Sequence, residues 1–181
     1  MNNLIKIAIV GPESTGKSTV AQYLAEEFDT VTVPEYARYY CQNLNNQYTP
    51  QDEVNMFYGQ IALEDALVPM SRNNLLFCDT TILTVKIWSD HLFADTPNEI
   101  KEEINKRHYD LYLLMNIDLP WQDDPLRDFP KDRDHFLQIW KNELHSLKAN
   151  YKLISGTDEQ RIHNAKDAVL EFLSVEKDKA L

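Results

Sequence analysis

The sequence is poor in several features that would each point to a different kind of protein. No apolar run among its 181 residues reaches 18, so no membrane-spanning helix is expected. No basic N-terminal region precedes a signal-type apolar stretch; the first apolar run, 4–10, reads as a strand. There are two cysteines, Cys41 and Cys78, without metal-ligand spacing, which fits reduced thiols and a cytoplasmic location. Cys78 lies in an apolar run and is expected in the core. Lys and Arg total 18 against 29 Asp and Glu, a net charge of −11. Such a surface repels nucleic acid and anionic lipid, so neither is expected as a partner. An anionic substrate would need its basic groups gathered at one place. Repeats, low-complexity tracts and long linkers are missing, and the length fits one domain over 1–181. The five His are scattered over polar helices or their ends, and none is assigned a catalytic role.

Glycine is scarce too, and two of the four fall within one stretch, Gly11-Pro12-Glu13-Ser14-Thr15-Gly16-Lys17-Ser18. Two Gly at this spacing followed by Lys and Ser form a Walker A pattern. An apolar strand runs into it, and residues 17–28 follow with Val20, Leu24 and Phe28 on one helical face. Strand, Gly-rich loop and helix together make a phosphate cradle. Gly11 and Gly16 permit backbone angles that aim successive N–H groups at one phosphate chain, and the helix N-terminus adds partial positive charge. The expected ATP contacts are Gly11, Glu13, Ser14, Thr15, Gly16, Lys17, Ser18 and Thr19. Lys17 should reach the β- and γ-phosphates, and the Ser18 hydroxyl should ligate Mg²⁺.

Five short strands are expected, at 4–10, 30–33, 75–79, 110–115 and 151–155. Helices are expected at 17–28, from 35, from 50 to near 69, and at 80–93, 97–107, 132–149 and 158–173. Thr49 should cap the third of these, with Pro50 in its first turn and Val54, Phe57 and Ile61 inward. Residues 43–49 and 116–130 read as loops, and Trp88 and Trp140 as core. Alternating strands and helices predict a three-layer α/β/α P-loop fold with a five-stranded parallel sheet. Ligands bind beyond the carboxyl ends of such strands.

The residues at those ends are therefore the candidates. Glu35 could accept a proton from a substrate hydroxyl or cap a helix. Arg38, one turn on, could hold substrate oxygens or pair with Glu35, and Tyr36 could stack on a ring or pack inside. Asp79 ends an apolar strand in the Walker B manner and would hold Mg²⁺. Thr80 and Thr81 could bond a sugar or cap the next helix. Trp121 in an acidic, Pro-rich loop could stack on a base or clamp the loop. Arg127, Lys131 and Arg133 are a basic cluster suited to a mobile lid at about 120–134 that stabilises a migrating phosphoryl group. Gly156, after the last strand, sits where backbone groups could touch adenine.

In this order, the loop, Pro34-Glu35-Tyr36-Ala37-Arg38, Phe77-Cys78-Asp79-Thr80 and Trp121-Gln122-Asp123-Asp124-Pro125-Leu126-Arg127 resemble the ribosylnicotinamide kinase family. That family includes the kinase domain of a bifunctional bacterial NAD-synthesis regulator. The resemblance spans nearly the whole chain. It implies an ATP- and Mg²⁺-dependent kinase that phosphorylates the 5′-hydroxyl of nicotinamide riboside. It would place Lys17 and Ser18 at phosphate and metal, Glu35 or Asp79 near ribose and metal with either as the proton acceptor, Trp121 with Asp124 near the riboside, and Arg127 in the lid. Asp123 or Asp124 could then favour a cationic ring. Pro125 stands where members often carry Gly, which would stiffen the loop. Only three residues precede the first strand, so the nucleotidyltransferase and DNA-binding activities of longer relatives are not expected. The alternatives are a kinase for another nucleoside or small metabolite, or a regulatory nucleotide hydrolase.

Overall fold

The structure, a computed structural model, describes residues 4–45 and 47–179. Asn46, in the loop expected over 43–49, lies outside them. The chain opens with β1 (Ile5–Val10), α1 (Lys17–Glu27), β2 (Val31–Val33) and α2 (Ala37–Tyr40). It continues through α3 (Pro50–Leu67), β3 (Leu75–Asp79), α4 (Ile82–Phe93), α5 (Asn98–Lys106) and β4 (Leu111–Met115). It ends with α6 (Arg133–Ser146), β5 (Tyr151–Ile154) and α7 (Asp158–Lys179). The strands form one sheet in the order β2-β3-β1-β4-β5, with every neighbouring pair parallel.

The apolar strands are continuous because both faces of the sheet are covered. On one face Ile7, Ile9, Phe77 and Leu113 pack against Val20 and Leu24 of α1 and Ala165 and Val169 of α7. On the other, Ala8, Val10, Cys78 and Leu114 meet Leu83 and Ile87 of α4 and Phe136, Trp140 and Leu144 of α6. This is the three-layer α/β/α fold with a five-stranded parallel sheet that the sequence predicts. Cys78 is fully buried, as expected. Among the described residues no helix is long and apolar enough to cross a membrane.

The local signals act as anticipated at α3. Thr49 and Asp52 form a reciprocal capping box and Pro50 occupies the first turn. Its inward face is a correction, however. Glu53, Met56, Phe57, Gln60 and Glu64 are buried, whereas Val54 and Ile61 are only partly covered. The helix is turned so that three polar side chains enter the interior. Thr81, not Thr80, caps α4, accepting from the Leu83 N–H at 3.2 Å. Helix α7 continues past 173 to Lys179, since no Gly or Pro stops it.

In register, Ile9 stands beside Asp79, Val33 beside Cys78 and Val10 beside Leu114. The carboxyl ends of β1, β2, β3 and β4 therefore share one edge. Loop 11–16 rises from its centre.

Candidate active site

Loop 11–16 is held from within and from below. Gly11 has φ 137°, and a Cβ there would stand 2.8 Å from the Met115 carbonyl oxygen. Gly16, at φ 77°, forms the N-cap of α1. The Thr15 hydroxyl and the Lys17 ammonium both donate to the Pro12 carbonyl, at 2.8 and 2.9 Å. Arg161 of α7 is only 2 % exposed and braces the loop from beneath. Its Nη1 donates to the Thr15 carbonyl at 3.1 Å, its Nη2 to Asn116 at 2.9 Å and its Nε to Gly156 at 2.8 Å. A planar guanidinium with five donors can hold several carbonyls in one geometry, which an ammonium cannot.

Above this loop opens a cavity of about 430 Å³, within the range of small-molecule sites. One wall is the loop itself, Gly11 through Thr19. Glu35, Arg38, Cys41, Tyr48, Glu53 and Met56 line the cavity as well, with Trp88 and Phe136. Trp88 is half-buried: it packs against the core, with Phe129 and Phe136 at 5.5 and 5.1 Å, and also lines the cavity. Trp140 is buried as expected, although it too reaches the cavity lining.

Asp79 ends β3 beneath the loop, 5 % exposed, and its Oδ1 has no hydrogen-bond partner among the described residues. Burial and the charge of Glu35 raise its pKa to about 6, against the opposing pull of the Ser18 hydroxyl, Lys17 and Arg38. An unanswered carboxylate oxygen beside a serine hydroxyl is a hard-oxygen donor pair that suits a small divalent cation. Among the described residues no cluster of three or more His, Cys, Asp or Glu could hold a metal. That is compatible with Mg²⁺, which usually takes few protein ligands and keeps waters or phosphate oxygens.

Glu35 lies 3.5 Å from Arg38, and Arg38 donates to Asp124 Oδ2 at 3.1 Å. This chain of charges joins the end of β2 to the segment after β4. That segment is also fastened to the loop. The Gln122 N–H donates to Ser14 Oγ at 2.8 Å, Arg127 Nη1 reaches the same oxygen at 3.3 Å, and Arg133 Nη2 reaches the Ser14 carbonyl at 3.2 Å. The N–H groups of Asp128 and Phe129 approach Glu13 Oε2 at 3.3 and 3.4 Å. Burial nevertheless holds the Glu13 carboxyl above its ordinary pKa.

Gly11, Glu13, Ser14, Thr15, Gly16, Lys17, Ser18, Thr19, Glu35, Arg38 and Arg127 all line the cavity. Other candidates are placed behind or beside it. The Tyr36 ring packs where a Cβ on Gly59 would clash, and its N–H donates to Gln60. The Thr80 hydroxyl is 2.5 Å from that of Thr84, and Thr84 takes the lining position. The Trp121 indole N–H donates to Asp123 at 2.8 Å, and the ring stays outside the wall. Asp124 serves Arg38 and the Leu126 N–H. Arg133 donates to the Leu119 carbonyl and the Gly156 N–H donates to Asp118 Oδ2, and neither residue lines the cavity.

Two residues of consequence escaped the sequence reading. Arg161 belongs to a polar helix; its place in the first turn of α7, close after the end of β5, is the signal that reveals it. Glu53 follows Asp52 in an acidic first turn, and no local signal distinguishes it from a solvated acid.

A family model described as an AAA domain matches residues 6–161. The chain belongs to this AAA domain family. It is 28% identical over 134 residues to the trifunctional NAD biosynthesis/regulator protein NadR of Salmonella typhimurium, covering 71% of this chain and 32% of that protein. The chain thus spans about a third of that relative's length. A crystal structure of NadR in complex with NR superposes with a TM-score of 0.76 at 21% identity, over 93% of this chain and 50% of the other. A second, in complex with NAD and AMP-PNP, gives 0.73 at 22%, over 93% and 49%. These matches bear out the resemblance drawn from the motifs, and this AAA domain shares the P-loop fold seen in NadR.

Proposed function

We propose that the protein is an ATP-dependent kinase, working as one domain, that phosphorylates the 5′-hydroxyl of nicotinamide riboside to the mononucleotide. The observation that carries this reading is a cavity lined both by a phosphate-type loop and by the Glu35–Arg38 pair. A relative named for NAD biosynthesis and regulation, and solved NadR complexes with NR and with an ATP analogue, support the choice of substrates.

In this reading Lys17 leaves the Pro12 carbonyl to grip the β- and γ-phosphates, while loop N–H groups hold the rest of the chain. Ser18 and Asp79 would hold Mg²⁺, which when bound offsets the charge of the phosphoryl oxygens. Glu35 takes the proton from the 5′-hydroxyl as its oxygen bonds to the γ-phosphorus and the bond to the bridging oxygen breaks. Arg38 orients Glu35 and faces the migrating oxygens. Segment 120–134 acts as the lid: Arg127 adds positive charge and the closed segment excludes water as a competing acceptor.

The test is product analysis with nicotinamide riboside, ATP and Mg²⁺. Wild type should form the mononucleotide, and Lys17→Ala should lose roughly 10²-fold or more of that rate. Phosphorylation of other nucleosides alone would remove the acceptor assignment. ATP hydrolysis with no phosphorylated product would remove the kinase.

A further inference from the structure

Helix α3 buries three polar side chains along one face, and two of them are fully answered. Gln60 accepts from the Tyr36 N–H at 2.8 Å and donates to the Pro34 carbonyl at 3.3 Å. Glu64 receives Lys6, Arg107 and the Tyr109 hydroxyl. Glu53 is 2 % exposed, and its Oε2 has no hydrogen-bond partner among the described residues. It takes part in no ion pair there, and it lines the cavity beside Cys41 and Met56. Buried acceptors in folded proteins are rarely left unanswered, because desolvating a carboxyl without a partner is costly.

The surroundings indicate what the missing partner is. Lys17 and Arg38 pull on Asp79, but neither shifts Glu53, whose titration is governed by burial and by Asp52. Glu53 lines the cavity from α3 together with Met56, beside Cys41, and not from loop 11–16. An acceptor oxygen in apolar surroundings is answered best by an N–H donor, and better still by one on a positively charged group. A second carboxylate brought against it would be repelled. Two acids of the segment after β4 are engaged: Asp124 by Arg38 and the Leu126 N–H, Asp123 by the Trp121 indole.

We propose that Glu53 is the residue that selects the acceptor's ring, receiving the N–H edge of a cationic, amide-bearing heterocycle and rejecting one that carries a carboxylate. This rests on the kinase reading above and names the group that reads the base.

The test compares three ribosides with wild type and Glu53→Gln: nicotinamide riboside, its neutral dihydro form, and nicotinic acid riboside. In the variant, KM for nicotinamide riboside should rise about tenfold with kcat and KM for ATP little changed. KM for the dihydro form should barely move, and KM for nicotinic acid riboside should fall. Unchanged ratios among the three would overturn the proposal while leaving the kinase reading intact; no mononucleotide from wild type would overturn the kinase reading instead. Thermal shift of wild type without ATP supplies a check that needs no variant. Nicotinamide riboside should raise Tm and nicotinic acid riboside should not, and equal shifts would overturn the assignment.

Discussion

Glu53 and Glu64 stand three turns apart on one face of α3, 2 % and 1 % exposed, and are treated in opposite ways. Glu64 receives Lys6 Nζ at 2.8 Å, Arg107 Nη1 at 3.2 Å and the Tyr109 hydroxyl at 2.6 Å. Among the described residues Glu53 receives nothing at Oε2. Burial alone therefore does not say what a charged side chain is for; the state of its acceptors does. A saturated buried acid ties elements together, here α3 to β1 and the start of β4. An unsaturated one in a cavity wall is available to a ligand. The sharpest way to break the contrast is Glu64→Ala, which leaves Lys6, Arg107 and Tyr109 without their common acceptor. We expect a loss of about 3–5 kcal/mol in urea unfolding, with no change in substrate KM for the protein that remains folded. A loss below about 1 kcal/mol would mean that Glu64 is no more structural than Glu53.

The next largest effect lies in how stability follows pH. Burial raises the Glu53 pKa from 4.5 to about 7. Between those values the folded state binds more protons than the unfolded chain. The contribution is therefore fully present below about pH 4.5 and is lost as pH rises through 7. The span is on the order of 3 kcal/mol. Glu53→Gln should remove that decline and leave the ligand-free protein more stable than wild type at pH 8. Parallel stability curves for the two proteins between pH 4.5 and 8 would show that the carboxyl is solvated after all.

Arg161 extends the contrast to a cation. Like Glu64 it is buried and fully used, but what it supports is the phosphate-type loop. Arg161→Lys keeps the charge and loses the fork that serves three carbonyls. We expect about 2 kcal/mol of destabilisation together with a several-fold rise in KM for ATP. The same stability loss with unchanged KM would place Arg161 with Glu64 as scaffold only.

Much of this was legible without coordinates, and the parts that were not share a cause. Strands 75–79 and 110–115 announce themselves because a sheet covered on both faces needs unbroken apolar runs. Loop 11–18 does so because its glycines, lysine and serine are required in one order. Thr49-Pro50-Gln51-Asp52 is a local signal and reads as one. The inward face of α3 was partly misplaced because periodicity assigns Val54 and Ile61 to the interior along with Phe57, and of these only Phe57 is buried. Glu64 is buried because Lys6, Arg107 and Tyr109 arrive from distant positions to meet it, and Gln60 because Tyr36 and Pro34 do. Trp121 stays open in sequence between ligand platform and loop clamp because a Trp among acids lacks an apolar neighbourhood there; in space its N–H is answered by Asp123 two residues away.

The smallest expected effect separates the two acids that could read a positive ring. Asp124, in the segment after β4, is named by sequence, since it sits in an acidic loop near the opening. Its charge is already shared, with Arg38 at 3.1 Å and Arg127 at 3.8 Å, and its Oδ1 accepts the Leu126 N–H at 2.9 Å. That backbone bond and the nearby guanidinium of Arg38 hold its pKa below the ordinary carboxylate value. A half-exposed pair of this kind contributes roughly 0–1 kcal/mol, so Asp124→Asn should change stability by no more than about 0.5 kcal/mol. It should also leave the preference for a cationic over a neutral ring where it was, because a carboxylate matched by two guanidinium groups has little field left to offer. It should instead loosen Arg38 and Arg127 and lower kcat modestly for every acceptor alike. Should Asp124→Asn erase the ring preference while Glu53→Gln keeps it, the loop acid reads the substrate and the unanswered oxygen on α3 does not.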